Sequence, residues 1–245
     1  MTGMTLERIA TEGGAILFDP MRVNNASELF DLAAWRARGA LEERQGGRGS
    51  VAFLDAGARH YVLRRYLRGG LPARLSRDRY LWRGEESTRS FHELRLLDQL
   101  ERGGLPVPAP VAARYRRTGL SYRAELVTLR LPSCSSLAER LLEQDVDDRA
   151  WQAVGRTIRR FHDAGLRHAD LNAQNVMLGA TGEVWLLDFD RARRCPPGRW
   201  IARVLARLER SLDKLGQRHP GLAWRDGFAL LLAAHDAARA RSSGS

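Results

Sequence analysis

The chain has 245 residues, 44% of them hydrophobic, and a formal net charge of +11. That is enough for one sizeable core or two small lobes. No apolar run approaches the ~20 residues needed to span a bilayer. Two cysteines, Cys134 and Cys195, do not make a disulfide framework or a metal cluster. The opening Met1-Thr-Gly-Met-Thr-Leu-Glu-Arg lacks the basic start and apolar core of a signal peptide, so the expectation is a soluble, cytoplasmic, reduced protein. Of 40 basic residues only Lys214 is a lysine, an arginine bias that argues for reading the sign of the charge rather than its size. The sign implies an anionic partner: nucleic acid, a phosphorylated substrate or acidic lipid.

Residues 1–25 are mixed and offer no clear element. Ser27–Arg38 carries apolar residues near helical spacing and stops at Gly39. Gly46-Gly47-Arg48-Gly49-Ser50 then runs into Val51–Leu54, a turn at Asp55–Ala58, and His60–Arg64. This is strand, turn, strand, with glycines at the entry, where backbone amides can approach phosphates closely. Gly47 and Gly49 are the candidates for a nucleotide lid. Thr88–Glu101 predicts a helix with Phe91, Leu94, Leu97 and Leu100 on one face, ended by Gly103-Gly104. Val111–Arg116 and Tyr122–Leu131 predict a further strand pair around Thr118-Gly119, and Pro132–Ser136 a hinge. Beyond it Ser136–Leu142, Asp148–Ala164, Trp200–Leu215 and Trp224–Arg241 read as helices. The plan is therefore α+β and two-lobed, like a protein kinase: a β-rich N-lobe over 1–131 and a helical C-lobe over 132–245.

The chemistry sits in His168-Ala-Asp-Leu-Asn-Ala-Gln-Asn175 and in Val184-Trp-Leu-Leu-Asp-Phe-Asp190. Phosphoryl transfer from a nucleotide needs one carboxylate to orient and deprotonate the acceptor hydroxyl, and a separate carboxylate–amide pair to hold magnesium on the phosphates. The spacing H-x-D-x-x-x-x-N supplies the base, Asp170, and the amide, Asn175; Asp188 supplies the metal carboxylate. Val176–Gly179 and Val184–Leu187 predict a tight hairpin. With Ala180–Glu183 as a four-residue loop, Gly179 pairs with Val184 and Asn175 with Asp188, and directly opposed residues lie roughly 4.5–5.5 Å apart at Cα. Two oxygen ligands then converge on one Mg²⁺. His168 reads as a support for the loop backbone, neither base nor ligand.

Kinases place a lysine on the strand after the glycine loop, paired with a helix glutamate. The only lysine here follows the metal aspartate, so Arg64 takes that slot, with Glu93 as its partner. A solvent-facing arginine and an ordinary surface glutamate are the competing readings.

His168–Asn175, Trp185–Arg191 and Leu63-Arg-Arg-Tyr-Leu-Arg-Gly-Gly70, with Gly104–Ala113 and Arg207–Leu212, resemble the bacterial 3-deoxy-D-manno-octulosonic acid (Kdo) kinases of lipopolysaccharide core synthesis, from about Gly46 to Leu215. The core heptose kinases share much of this. The resemblance implies a protein-kinase-like fold and ATP-dependent phosphorylation of a Kdo hydroxyl, the 4-position, on a Kdo-lipid A precursor. Asp190 stands where protein kinases have glycine, as a polar cap or a second metal-side carboxylate. Seven arginines (64, 65, 68, 74, 77, 79, 83) against Asp78, interleaved with Tyr66, Tyr80 and Trp82, suit an anionic membrane surface. The expectation is thus a peripheral protein on the cytoplasmic face of the inner membrane. An antibiotic phosphotransferase would favour acidic pockets. RNA ranks last, since no RNA-binding signature is present.

Overall fold

The computed structural model describes residues 6–46, 49–67 and 78–242, and the chain divides into two compact units. The first comprises residues 1–99 and 108–130, the second 100–107 and 131–245.

The first unit is an antiparallel sheet. In chain order it contains β1 (Glu7–Thr11), β2 (Gly14–Phe18), α1 (Leu32–Ala37), β3 (Leu41–Gly46), β4 (Gly49–Asp55), β5 (His60–Arg65), β6 (Tyr80–Leu81), most of α2 (Arg89–Arg102), β7 (Pro110–Thr118) and β8 (Ser121–Leu129). The strand order is β1-β2-β7-β8-β5-β4-β3, with β6 also on β8. Strands β1 and β2 were not legible as elements. Strand β1 is exposed along most of its length, so it shows no alternation, and β2 is carried by its pairing to β7. A side chain at Gly14 would collide with the Tyr115 carbonyl, which is why glycine stands where the two strands meet. Strand β3 was also missed. It pairs with β4 from Leu41↔Leu54 to Gly46↔Gly49, so the glycines close a hairpin. Gly49 is the first residue of β4; Gly47 lies outside the described residues. One face of the sheet, with Ile16, Leu54, Leu63 and Val127, packs against Leu29, Phe30 and Trp35 from the segment before β3. The predicted face of α2 is buried as read, at Phe91, Leu94, Leu97 and Leu100.

The second unit holds β9 (Cys134–Ser136), α3 (Leu137–Leu142), α4 (Asp148–Asp163), β10 (Leu166–Arg167), β11 (Val176–Gly179), β12 (Val184–Leu186), β13 (Arg193–Arg194), α5 (Trp200–Arg218) and α6 (Arg225–Ser242). The predicted hinge at 132–136 is instead partly a strand: β9 pairs with β11. Ser136 ends it and caps α3 in a reciprocal capping box with Glu139. No helix among the described residues is long and apolar enough to cross a membrane.

Candidate active site

In the first unit, Arg64 lies on β5 and Glu93 on α2. Successive strand residues face opposite sides, and this separates two adjacent arginines. Arg64 Nη2 reaches both Glu93 carboxylate oxygens at 2.5 Å, whereas Arg65 faces Glu125 at 3.4 Å. Tyr66 adds a 2.6 Å hydrogen bond to Glu93 Oε2, and its ring lies 4.8 Å from the Arg64 guanidinium. Glu93 is fully buried and the Arg64 side chain is 26% exposed. A buried carboxylate is tolerable only when paired and hydrogen-bonded, and Arg64 and Tyr66 do this. The structure brings Arg64 and Glu93 together, with the arginine side chain partly open to solvent.

In the second unit several polar atoms of the loop between β10 and β11 are hydrogen-bonded. His168 is buried. Its Nδ1 accepts the Asp170 backbone N–H at 3.2 Å, so Nε2 carries the proton and donates to the Leu187 carbonyl at 2.8 Å. Burial pushes the imidazole below its ordinary pKa. His168 thus ties Asp170 to the chain just before Asp188, the backbone support expected of it. The Asp170 carbonyl accepts from both Asn172 Nδ2 and Asn175 Nδ2 at 2.9 Å. Ala173 N–H donates to Ser211 Oγ on α5 at 3.1 Å, and Ala138 N–H donates to the Ala173 carbonyl. The Asp170 carboxylate is turned toward α5, where Arg207 donates to Oδ1 from Nε at 3.0 Å and again from Nη2.

The hairpin differs from its predicted register by one residue. The pairs are Val176↔Leu186, Met177↔Trp185 and Leu178↔Val184, and Gly179 N–H bonds the Glu183 carbonyl. The loop is three residues, Ala180–Gly182, with Gly182 at φ +95°; a glycine in a left-handed conformation is what such loops use. Asn175 therefore opposes Leu187, whose N–H donates to the Asn175 carbonyl at 2.9 Å, and not Asp188. Asp188 has already left the strand, at φ +64°. Phe189 beyond it is buried, with its ring 5.7 Å from Phe161 and 5.0 Å from His168. Strand pairing thus does not aim Asp188; a left-handed turn against a buried phenylalanine does.

These residues can be tested for fit to a divalent cation. Asn175 spends its amide nitrogen on the Asp170 carbonyl, which leaves Oδ1 as its ligand atom. Asp188 adds a half-buried carboxylate. Oxygen-only donors suit Mg²⁺, which keeps several waters and phosphate oxygens of its own. No group of three His, Cys, Asp or Glu among the described residues forms a closed metal cluster. Arg207 and Ser211 were not singled out as site residues by sequence. The signal was their helical spacing (i, i+4) within the Arg207–Leu212 segment, which carries no chemistry until α5 is seen against the loop.

The second unit thus holds an aspartate, an amide and a second carboxylate on one loop and hairpin, and the first unit holds an arginine paired with a buried glutamate, each a group of the kind that kinase-type phosphotransferases use. The Lipopolysaccharide kinase (Kdo/WaaP) family model matches residues 33–231. The chain is 52% identical over 206 residues to a 3-deoxy-D-manno-octulosonic acid kinase of Xanthomonas axonopodis pv. citri (strain 306), covering 82% of this chain and 81% of that protein. It is 46% identical over 230 residues to the enzyme of the same name from Xylella fastidiosa (strain M12), covering 93% and 92%. Among solved structures it resembles the kinase-methyltransferase WbdD, with TM-score 0.46 and 20% identity over 95% of this chain, which spans about half of that one (49%). The chain belongs to the lipopolysaccharide kinase (Kdo/WaaP) family.

Proposed function

We propose that this protein transfers the terminal phosphoryl group of ATP to a hydroxyl of Kdo, the 4-hydroxyl, on a Kdo-lipid A precursor of lipopolysaccharide inner-core synthesis. The observation that carries the reading is the Asp170 carboxylate, pinned through its backbone by His168, Asn172 and Asn175 and through its side chain by Arg207. Kdo is favoured over heptose because the relatives compared above are Kdo kinases.

Asp170 orients the acceptor hydroxyl and accepts its proton as the bond to phosphorus forms. Arg64, kept in place by Glu93 and Tyr66, holds the non-reacting phosphates; its planar fork replaces the point charge of a lysine. Asn175 Oδ1 and the Asp188 carboxylate would hold Mg²⁺, which when bound neutralises charge on the phosphate oxygens. Both the protein, at +11, and its proposed acceptor, in an acidic leaflet, favour peripheral attachment to the cytoplasmic face of the inner membrane.

Incubation with ATP, magnesium and Kdo-lipid A precursor tests the reading. One added phosphate, placed on Kdo by fragment masses, is expected. Modification confined to a heptose-bearing acceptor would redirect the assignment to heptose.

A further inference from the structure

Helix α5 does more than hold Asp170. Its buried stripe is Trp200, Val204, Leu208 and Leu212, spaced i, i+4, i+8, i+12. A second stripe, Arg203, Arg207, Arg210 and Lys214, is spaced i, i+4, i+7, i+11 and so lies along one line of the helix surface. The acidic residues Glu209 and Asp213 fall on the flank away from the buried stripe, and Asp213 is taken up by Arg225 at 3.0 Å.

Within this line the central residue is the one that touches the catalytic loop. Arg207 gives Nε and Nη2 to Asp170, while Nη1 makes no hydrogen bond among the described residues. Arg203, Arg210 and Lys214 are exposed and make no ion pair among the described residues. Some exposed arginines elsewhere are neutralised, as Arg36 is by Glu43, Arg44 by Glu42 and Arg123 by Asp78, while others, such as Arg149 and Arg156, make no ion pair among the described residues; the ridge differs in setting its cations in one line with the arginine that holds Asp170. Four cations in line, three of them unneutralised, repel one another and gain most from a bound polyanion.

We infer that the α5 cationic ridge is the acceptor's docking surface, binding the phosphate and carboxylate groups of an anionic glycolipid and leading its sugar hydroxyl to Asp170. This inference rests on the function proposed above and adds to it where the acceptor lies. The choice of occupant follows from charge and continuity. The ridge is cationic, its middle residue holds the carboxylate that must meet the acceptor hydroxyl, and the acceptor carries several negative groups. The nucleotide does not need the ridge, because Asn175, Asp188 and Arg64 lie on other elements. A solvated basic face is the competing account, and it predicts that any two exposed arginines are equivalent.

The test compares two charge-matched variants of the full chain, Arg203→Gln/Arg210→Gln on the ridge and Arg149→Gln/Arg156→Gln on the exposed side of α4. Binding of Kdo-lipid A precursor in nonionic detergent micelles is measured without ATP, across a salt series. The ridge variant is expected to bind about tenfold more weakly than wild type at low salt, with a shallower salt dependence, and the α4 variant to bind as wild type does. Equal weakening in both variants, or no binding by wild type, overturns the inference. A wild-type protein that binds the glycolipid yet adds no phosphate would sink the proposed reaction and leave the ridge standing. In turnover, the ridge variant should show its loss in KM for the glycolipid more than in kcat.

Discussion

Arg207 and Asp170 form a two-bond ion pair across 37 residues of sequence, from Arg207 Nε and Nη2 to one carboxylate oxygen. The pair fixes the carboxylate in one orientation. Arg207 is therefore a positioning residue for the proposed base. Arg207→Ala is expected to lower kcat by roughly tenfold to a hundredfold, since misplacement of a reacting group by about 1 Å costs on that order, with ATP affinity little changed. Arg207→Lys keeps the charge but loses the fork and should recover only part of the loss. Full activity in Arg207→Ala would remove the positioning role.

Asp188→Asn should abolish magnesium-dependent ATP binding. Asparagine tolerates the left-handed backbone that Asp188 adopts at φ +64°, so the substitution removes charge without refolding the turn. Calorimetry in magnesium showing wild-type ATP affinity would contradict the metal assignment.

Arg64 and Glu93 should be strongly coupled. Removing Arg64 leaves a buried carboxylate held only in part by Tyr66, and uncompensated buried charges cost about 3–5 kcal/mol. In a double-mutant cycle on unfolding free energy, Arg64→Ala and Glu93→Ala should be non-additive by about 1–3 kcal/mol. Strict additivity would show that the contact at 2.5 Å is not formed in solution.

His162 is expected to make stability fall with acid. It is buried beside His235, Nδ1 to Nε2 at 2.9 Å, and burial pushes its pKa down to about 3. The unfolded chain binds the proton near the ordinary value of about 6.5, so below that pH protons favour unfolding. Stability from this group is complete above about pH 6.5 and lost toward pH 3, at up to about 1.4 kcal/mol per pH unit. His162→Gln should flatten denaturation midpoints plotted over that window. An unchanged slope would mean that His162 is already protonated in the folded protein.

The parts of this protein that were legible in its sequence are those with local causes. The α2 face declared itself through Phe91, Leu94, Leu97 and Leu100, and the loop before β11 stood out as a candidate site through its spacing. What was not legible depended on partners far away in sequence. Strands β1 and β2 exist because β7 offers an edge, and β3 because it pairs with β4 as far as Gly46↔Gly49. The hairpin register turned on a single turn residue, Gly182, whose left-handed conformation shortens the loop to three residues. A one-residue shift moves each side chain to the other face, and so Asp188 reaches its place by leaving the strand. Arg207 was invisible as a site residue because helix α5 meets the loop only in three dimensions.

The most direct test is a side-by-side incubation of wild type and Asp170→Ala with ATP, magnesium and Kdo-lipid A precursor, followed by mass spectrometry. Wild type should add one phosphate to Kdo. Asp170→Ala should do so roughly 10²–10⁴-fold more slowly while still binding ATP. Phosphorylation of Kdo at equal rates by both proteins, or by neither, would contradict the account.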